Sequence, residues 1–341
     1  MMKRTIILSL VLMFSAFSTF AYDVAIKSTT NRDDTHTGDY WIGEDFAKGF
    51  EQLGLSTVID YRGEYQTTHQ PEPKINLFMR GYTQFVPPFP SGINILYSYY
   101  PMAYHDTSKQ KISKSVLNNR ATMPEDSALS DDWQNYDIVA VASKSYAQKL
   151  NEQGIKAVYV PQFTNADKFY PNFDEKLAHD ILFVGSNWHD RTSLRYAIES
   201  GFEVAVYGFN WYGIVPDEMY KGQYIANEDL NKYYASAKIV LNDHRPDMKE
   251  FGFINNRIYD ATAAGALVIS DYMPEIEEAY GDSVPMYQTK EELAELLTYY
   301  LSHETERKQK AETARKITLK YFTNKEAAKK ILEAVQHAQS H

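Results

Sequence analysis

The chain has 341 residues, with 35 lysines and arginines against 45 aspartates and glutamates, and a formal net charge of −10. So acidic a chain is a poor partner for nucleic acid or an anionic membrane surface, and the absence of cysteine excludes disulfides and thiolate metal sites. Its length exceeds what one ordinary core supports and, at ~150 residues per domain, reads as two domains.

The first element in chain order is a leader. Met1-Met2-Lys3-Arg4 precedes an uncharged, mostly apolar run from Thr5 to Phe20, with small residues at Thr19 and Ala21. That order of basic, apolar and small-residue regions predicts a cleavable secretory signal peptide over residues 1–21 and a mature chain beginning at Tyr22. The apolar run is shorter than the ~20 residues of a spanning helix, so the expectation is an exported protein, periplasmic or secreted, without stable membrane insertion after cleavage.

From there short β-branched and apolar runs alternate with helix-period segments, which predicts an α/β protein of parallel sheets and crossover helices. Strands are expected at 22–27, 56–61, 75–78, 93–98, 138–142 and 157–160, with helices at 41–53 and 144–153, in a first domain spanning 22–165. A polar stretch with two prolines, 161–176, interrupts the rhythm and reads as the interdomain linker. The pattern restarts with strands at 181–184, 204–207, 239–242 and 267–270 and helices near 191–200, 228–236 and 256–264, in a second domain spanning 178–322. Thr289 with Glu292, and Thr323 with Glu326, have capping-box spacing and start the last helices. The final one, within 323–341, puts Ile331, Leu332 and Val335 on one face.

Open α/β sheets bind ligands beyond the carboxyl ends of their strands. After 181–184 comes Gly185-Ser186-Asn187-Trp188-His189-Asp190-Arg191, a turn whose amides and helix dipole suit a phosphate, with Arg191 adding charge. The alternative is an ordinary strand-to-helix turn capped by Asp190. After the first strand, Asp33, Asp34, His36 and Asp39 crowd one turn. They would supply a general base, an oxygen-rich metal site, or only a hydrated loop capping the next helix. Arg80 ends another strand and is a further candidate.

The most informative segment runs from Val240 to Asp271: a strand, a long polar loop, a helix stopped at Gly265 and another strand. It gathers Asn242, His244, Asn256 and Arg257 near a helix N-terminus, where an anionic diphosphate is favoured. Asp260, one turn on from Asn256, shares its face and would accept hydrogen bonds from ribose hydroxyls. The alternative is a solvated helix end with a surface salt bridge between Arg257 and Asp260 or its neighbours.

This segment resembles the C-terminal core of the CgeB-like bacterial glycosyltransferases. There a strand ending in Leu-Asn precedes a glycine-containing loop, then Asn-x-Arg-x-aromatic-acid, then Ala-x-Ala-x-Gly-Ala; here the matching residues are Leu241-Asn242, Asn255–Asp260 and Ala261–Ala266. The segments 181–187, 206–211 and 224–237 extend the likeness. The family pattern continues its fourth strand into Ser-His-Pro-Asp, where this chain has Ser98-Tyr99-Tyr100-Pro101, and Asp260 stands where related enzymes carry a glutamate.

The resemblance implies a GT-B fold of two Rossmann-like domains facing across a cleft, with the last helix crossing back. It implies a nucleoside diphosphate sugar as donor, held by Gly185, Asn187, Arg191, His244, Asn256, Arg257 and Asp260, and a glycan or protein acceptor on the N-terminal side. It favours a base over a metal in the first turn, so Asp34, His36 and Arg80 are the catalytic candidates and neither cofactor nor metal is expected. Two other readings stay open: a two-lobe periplasmic solute-binding protein, and a glycosyltransferase fold kept as a binding module without activity.

Overall fold

The computed structural model describes residues 22–64, 67–80, 91–101 and 136–340. The expected signal peptide lies outside them. Two six-stranded sheets are present, every named pairing is parallel, and the fold class is α/β as expected.

The first sheet takes β1 (Val24–Lys27), β2 (Thr57–Asp60), β3 (Ile75–Arg80), β4 (Ile93–Ser98), β5 (Ile138–Val141) and β6 (Ala157–Tyr159) in the order β2-β1-β3-β4-β5-β6. Strands β1, β3 and β5 are buried along their whole length, which is why they read as continuous apolar runs. Helix α1 (Gly38–Glu51) starts where Thr37 accepts from the Tyr40 amide and buries Phe46 and Phe50. Helix α2 (Lys144–Glu152) starts at Ser143 in the same way. One buried ion pair closes the edge of the sheet: Lys27 Nζ donates to Asp60 at 2.6 Å, and His69 lies 3.0 Å from the same carboxylate.

The second sheet takes β7 (His179–Val184), β8 (Ala205–Tyr207), β9 (Tyr220–Gly222), β10 (Ala237–Asn242), β11 (Leu267–Asp271) and β12 (Met286–Tyr287) in the order β12-β11-β10-β7-β8-β9. Its helices are α3 (Thr192–Glu199), α4 (Asn227–Ser236), α5 (Pro246–Phe251), α6 (Asn256–Ala263), α7 (Pro274–Tyr280), α8 (Lys290–Ser302) and α9 (Glu304–Tyr321). The stretch expected to be a long polar loop after β10 contains α5, whose first residue is a proline, a position that costs no hydrogen bond. Thr289 and Glu292 form the reciprocal capping box that starts α8.

Helix α10 (Asn324–Gln339) does not finish the second domain. Its Ala327, Ala328, Ile331 and Val335 are buried in the core of the first, with Leu332 packed beside them. It lies along α1 at Gly49, where any side chain would strike the Asn324 carbonyl. Each large aliphatic side chain buried this way contributes ~1.5–3 kcal/mol. The linker is tied to the returning chain: the Thr164 amide donates to the Phe322 carbonyl at 2.9 Å and the Asn324 amide to the Thr164 carbonyl at 2.8 Å.

The order of strands reverses once in each sheet, beside β1 and β3 in the first and beside β7 and β10 in the second. Neighbouring loops there leave the sheet in opposite directions and open a crevice at the carboxyl ends of the strands.

Candidate functional site

Arg257 lies on the first turn of α6 and spans the crevice of the second sheet. Its Nε donates to the Val184 carbonyl at the end of β7 at 2.9 Å, and its Nη1 to Asn242 Oδ1 at the end of β10 at 2.8 Å. Asn242 is held in turn by Ser270 on β11. The remaining nitrogen, Nη2, passes so near Gly185 that a Cβ there would lie 2.7 Å away. A side chain at Gly185 would push the guanidinium out of this position. No carboxylate forms an ion pair with Arg257 among the described residues, so the salt bridge to Asp260 offered by the alternative reading is not formed.

Arg191 comes to the same place from the other side. Its Nε donates to the Ser186 carbonyl at 3.0 Å and its Nη1 lies 3.2 Å from Asp243. Both guanidinium groups hang over the Phe183 ring, at 5.1 Å for Arg257 and 5.7 Å for Arg191. Burial, and then the charge of Arg257, push the Arg191 pKa down. Two half-buried cations thus lie near enough to repel, only Arg191 of the two having a carboxylate partner, and a bound anion is the group that would relieve them. His189 faces the same cluster, and burial followed by the charge of Arg191 holds its imidazole below the usual range.

The turn that carries Arg191 is rigid for reasons its own sequence does not display. Trp211 is buried and its indole donates to the Gly185 carbonyl at 2.7 Å, while the Asn187 amide donates to the Phe209 carbonyl at 3.0 Å. Asn187 thus serves the turn through its backbone, and its side chain donates to the Asn210 carbonyl. Asp243, unremarked in the sequence, accepts from the Ser193 amide at 3.2 Å and the Ser193 hydroxyl at 2.8 Å. The start of α3 expected to receive a phosphate is therefore capped by the protein's own carboxylate, and Arg191 and Arg257 remain as the candidate anion-binding groups.

Two candidates have other partners. His244 is buried with both ring nitrogens engaged: Nδ1 lies 2.7 Å from Asp271, and Nε2 accepts from the Asn255 amide at 3.1 Å. It pins the loop ahead of α6 to β11 and has no nitrogen left for a diphosphate. Asp260 is 7% exposed and turned towards the linker, accepting from Thr164 Oγ1 at 2.8 Å and from Asn256 Nδ2 at 2.7 Å. Asn256 is engaged by the same bond. Lys168 of the linker stacks its ammonium 3.7 Å over Trp41 of α1, with no hydrogen-bond partner among the described residues, and its counter-charges are Asp45 and Asp260, followed by Glu228 and Glu44.

Burial raises the Asp260 pKa to about 7, and the sign of the linkage follows. A carboxyl whose folded pKa lies above its unfolded value stabilises the fold fully below the unfolded pKa and loses that contribution as pH rises through the folded one. Between about pH 5 and 8 this group should remove about 2–3 kcal/mol of stability. Asp260→Asn, which never ionises, is expected to remove that part of the slope and to be relatively more stable at the alkaline end. Parallel melting-temperature curves for variant and wild type across that range would refute the assignment.

Across the crevice the first domain presents Asp39, in the first turn of α1 and half-buried. The Tyr99 and Thr29 hydroxyls, which follow β4 and β1, hydrogen-bond its carboxylate, and burial outweighs them and raises its pKa. The charges of Asp39, Arg191 and Asp247 all act on the Tyr100 hydroxyl, and Arg245 stacks 4.8 Å over the Tyr100 ring. Asp39 and Arg191 thus act on the same hydroxyl from opposite domains. Tyr99, in the segment that departs from the family pattern, is one of the two hydroxyls that hold the carboxylate.

Asp34 uses its carboxylate within its own turn, accepting from the Asn31 amide and side chain at 2.9 Å each. His36 is exposed. Arg80 is buried at the end of β3, and Gly81 lies outside the described residues. Among the described residues no cluster of histidine, aspartate and glutamate has the geometry of a metal site, and no helix is long and apolar enough to cross a membrane.

Residues 175–333 match the family model described as glycosyl transferase-like. Spore protein CgeB of Bacillus subtilis (strain 168) is 28% identical over 205 residues, covering 54% of this chain and 63% of CgeB, so the match spans less than two thirds of that relative. Among solved structures, the sucrose-phosphate synthase of Thermosynechococcus elongatus superposes with a TM-score of 0.63 at 11% identity, over 93% of this chain and 99% of that one. Anabaena HepE in complex with UDP and glucose superposes with a TM-score of 0.59 at 10% identity, over 93% and 100%. Residues 175–333 thus resemble the glycosyl transferase-like family and CgeB, and along nearly its whole length the chain has the GT-B fold of these solved structures.

Proposed function

We propose that this protein transfers a sugar from a nucleoside diphosphate sugar to an acceptor hydroxyl in the cleft between its domains. The observation that carries the reading is the pair of half-buried guanidinium groups at the reversal point of the second sheet, Arg191, which contacts Asp243, and Arg257, which has no ion-pair partner among the described residues. A diphosphate leaving group gains charge as its bond to the anomeric carbon breaks, and preorganised cations are the groups that stabilise it. Asp39, on the facing domain, takes the proton from the acceptor hydroxyl as its oxygen bonds to that carbon. HepE, with UDP and glucose in its structure, makes a uridine donor the first to test. The acceptor is a glycan or a protein, and the basic-apolar-small order of residues 1–21 supports work outside the cytoplasm.

Calorimetry on the chain beginning at Tyr22, with UDP, GDP and free sugars, tests the reading. Nucleotide binding is expected. Free-sugar binding without nucleotide binding would favour the two-lobe solute-binding alternative, and binding of neither would favour a module without activity. Intact mass of exported material tests the leader, with full-length protein retained in the cytosol as the contrary result.

A further inference from the structure

Nine large hydrophobic side chains are exposed among the described residues, and five of them, Trp188, Phe209, Tyr212, Ile214 and Tyr224, follow the carboxyl ends of three neighbouring strands, β7, β8 and β9. Trp188 is 63% exposed and Tyr212 82%. Single exposed hydrophobics need no explanation, but a group of them at one edge of a sheet does.

The segments that carry them are stitched together. Besides the bonds of the Gly185 turn, the Phe209 amide donates to Ser186 Oγ at 3.2 Å and the Gly208 amide to the Gly222 carbonyl at 2.9 Å. Gly208, at φ 148°, packs on the Gly185 backbone where any side chain would collide. Asn210 is the only non-glycine residue among those described with a left-handed backbone, at φ 66°. The rings therefore stand on a stiff frame. Backbone of this kind is kept where the surroundings over-determine it, at binding and active sites.

We propose that this surface is a carbohydrate platform on which the acceptor glycan lies, its reacting end passing from Trp188 to the arginine pair. The proposal rests on the transferase reading and names the acceptor class for it. Three features favour a glycan as occupant. Among the described residues none of the four rings stacks on another aromatic ring, and all four are exposed, which leaves ring surface for the apolar faces of sugar rings. Polar groups are interleaved with them, namely the Asn187 and Asn210 side chains and the Tyr212 and Tyr224 hydroxyls, which suits a ligand whose rim is hydroxyl. The platform is also continuous with the Gly185–Arg191 turn. A net charge of −10 argues against an anionic bilayer.

The test is native gel electrophoresis of the mature chain through gels cast with amylose, mixed-linkage β-glucan or soluble peptidoglycan fragments. Wild type is expected to be retarded in at least one gel, and Trp188→Ala/Tyr212→Ala to bind that glycan about tenfold to a hundredfold more weakly while its affinity for UDP is unchanged. No retardation in any gel, equal retardation of the variant, or cosedimentation with phosphatidylethanolamine–phosphatidylglycerol vesicles that the double variant abolishes would each overturn the platform. Wild type that binds glycan but not UDP would refute the transferase reading alone.

Discussion

Asp39→Asn is expected to lower turnover by about 10²–10⁴-fold while leaving affinity for UDP unchanged. The amide keeps the shape of the carboxylate and can still meet Tyr99 and Thr29, but it accepts no proton. Hydrolysis of UDP-glucose, with water as acceptor and UDP release as readout, measures this without knowledge of the natural acceptor. The pH profile is a second signature. Burial raises the Asp39 pKa above the ordinary carboxylate value, and a base works ionised. Wild-type activity should therefore fall as pH drops through that raised pKa, and the Asn variant should lack this limb. For folding the sign is opposite: stability from this group is complete below its unfolded pKa and is lost as pH rises through the folded one. Undiminished UDP release by the variant would remove Asp39 from the reaction.

The second large effect concerns the anion site. Each charge-assisted hydrogen bond from Arg191 or Arg257 to a diphosphate should contribute about 1.5–3 kcal/mol, so either alanine variant should bind UDP about ten- to a hundredfold more weakly. The double variant, Arg191→Ala/Arg257→Ala, should lose about 10²–10⁴-fold if the two add. Folding should suffer less. Arg257 leaves behind the Val184 carbonyl and Asn242 Oδ1, and Arg191 leaves Asp243 still held by Ser193. Isothermal titration and thermal melting separate binding from stability. Unchanged UDP affinity in the double variant, alongside tight binding by wild type, would place the donor elsewhere in the cleft.

The pattern of strands was legible because strands buried on both faces appear as uninterrupted apolar runs, as at Ile181-Leu182-Phe183-Val184 and Ile138–Val141. Two short edge strands, β9 and β12, were not, since Tyr220–Gly222 and Met286–Tyr287 are too brief to show a period. Helix α9 was also unmarked: its exposed face is charged and its buried face is narrow, with Ala311, Ala314 and Thr318 among its few buried residues.

The sequence by itself determined the α/β class, the glycine-led turn after β7 and Arg257 at a helix start beside the Leu241-Asn242 strand end, because each depends on residues close together along the chain. What those groups face depends on segments far away along the chain. His244 is consumed by Asp271, 27 residues away, and Asp260 by Thr164, 96 residues away. The same folding selects Asp39 from its acidic turn, since Asp34 closes that turn while the Tyr99 hydroxyl reaches Asp39. A carboxylate's role is set by which donors and charges surround it, and distant segments bring those together when the sheets pack.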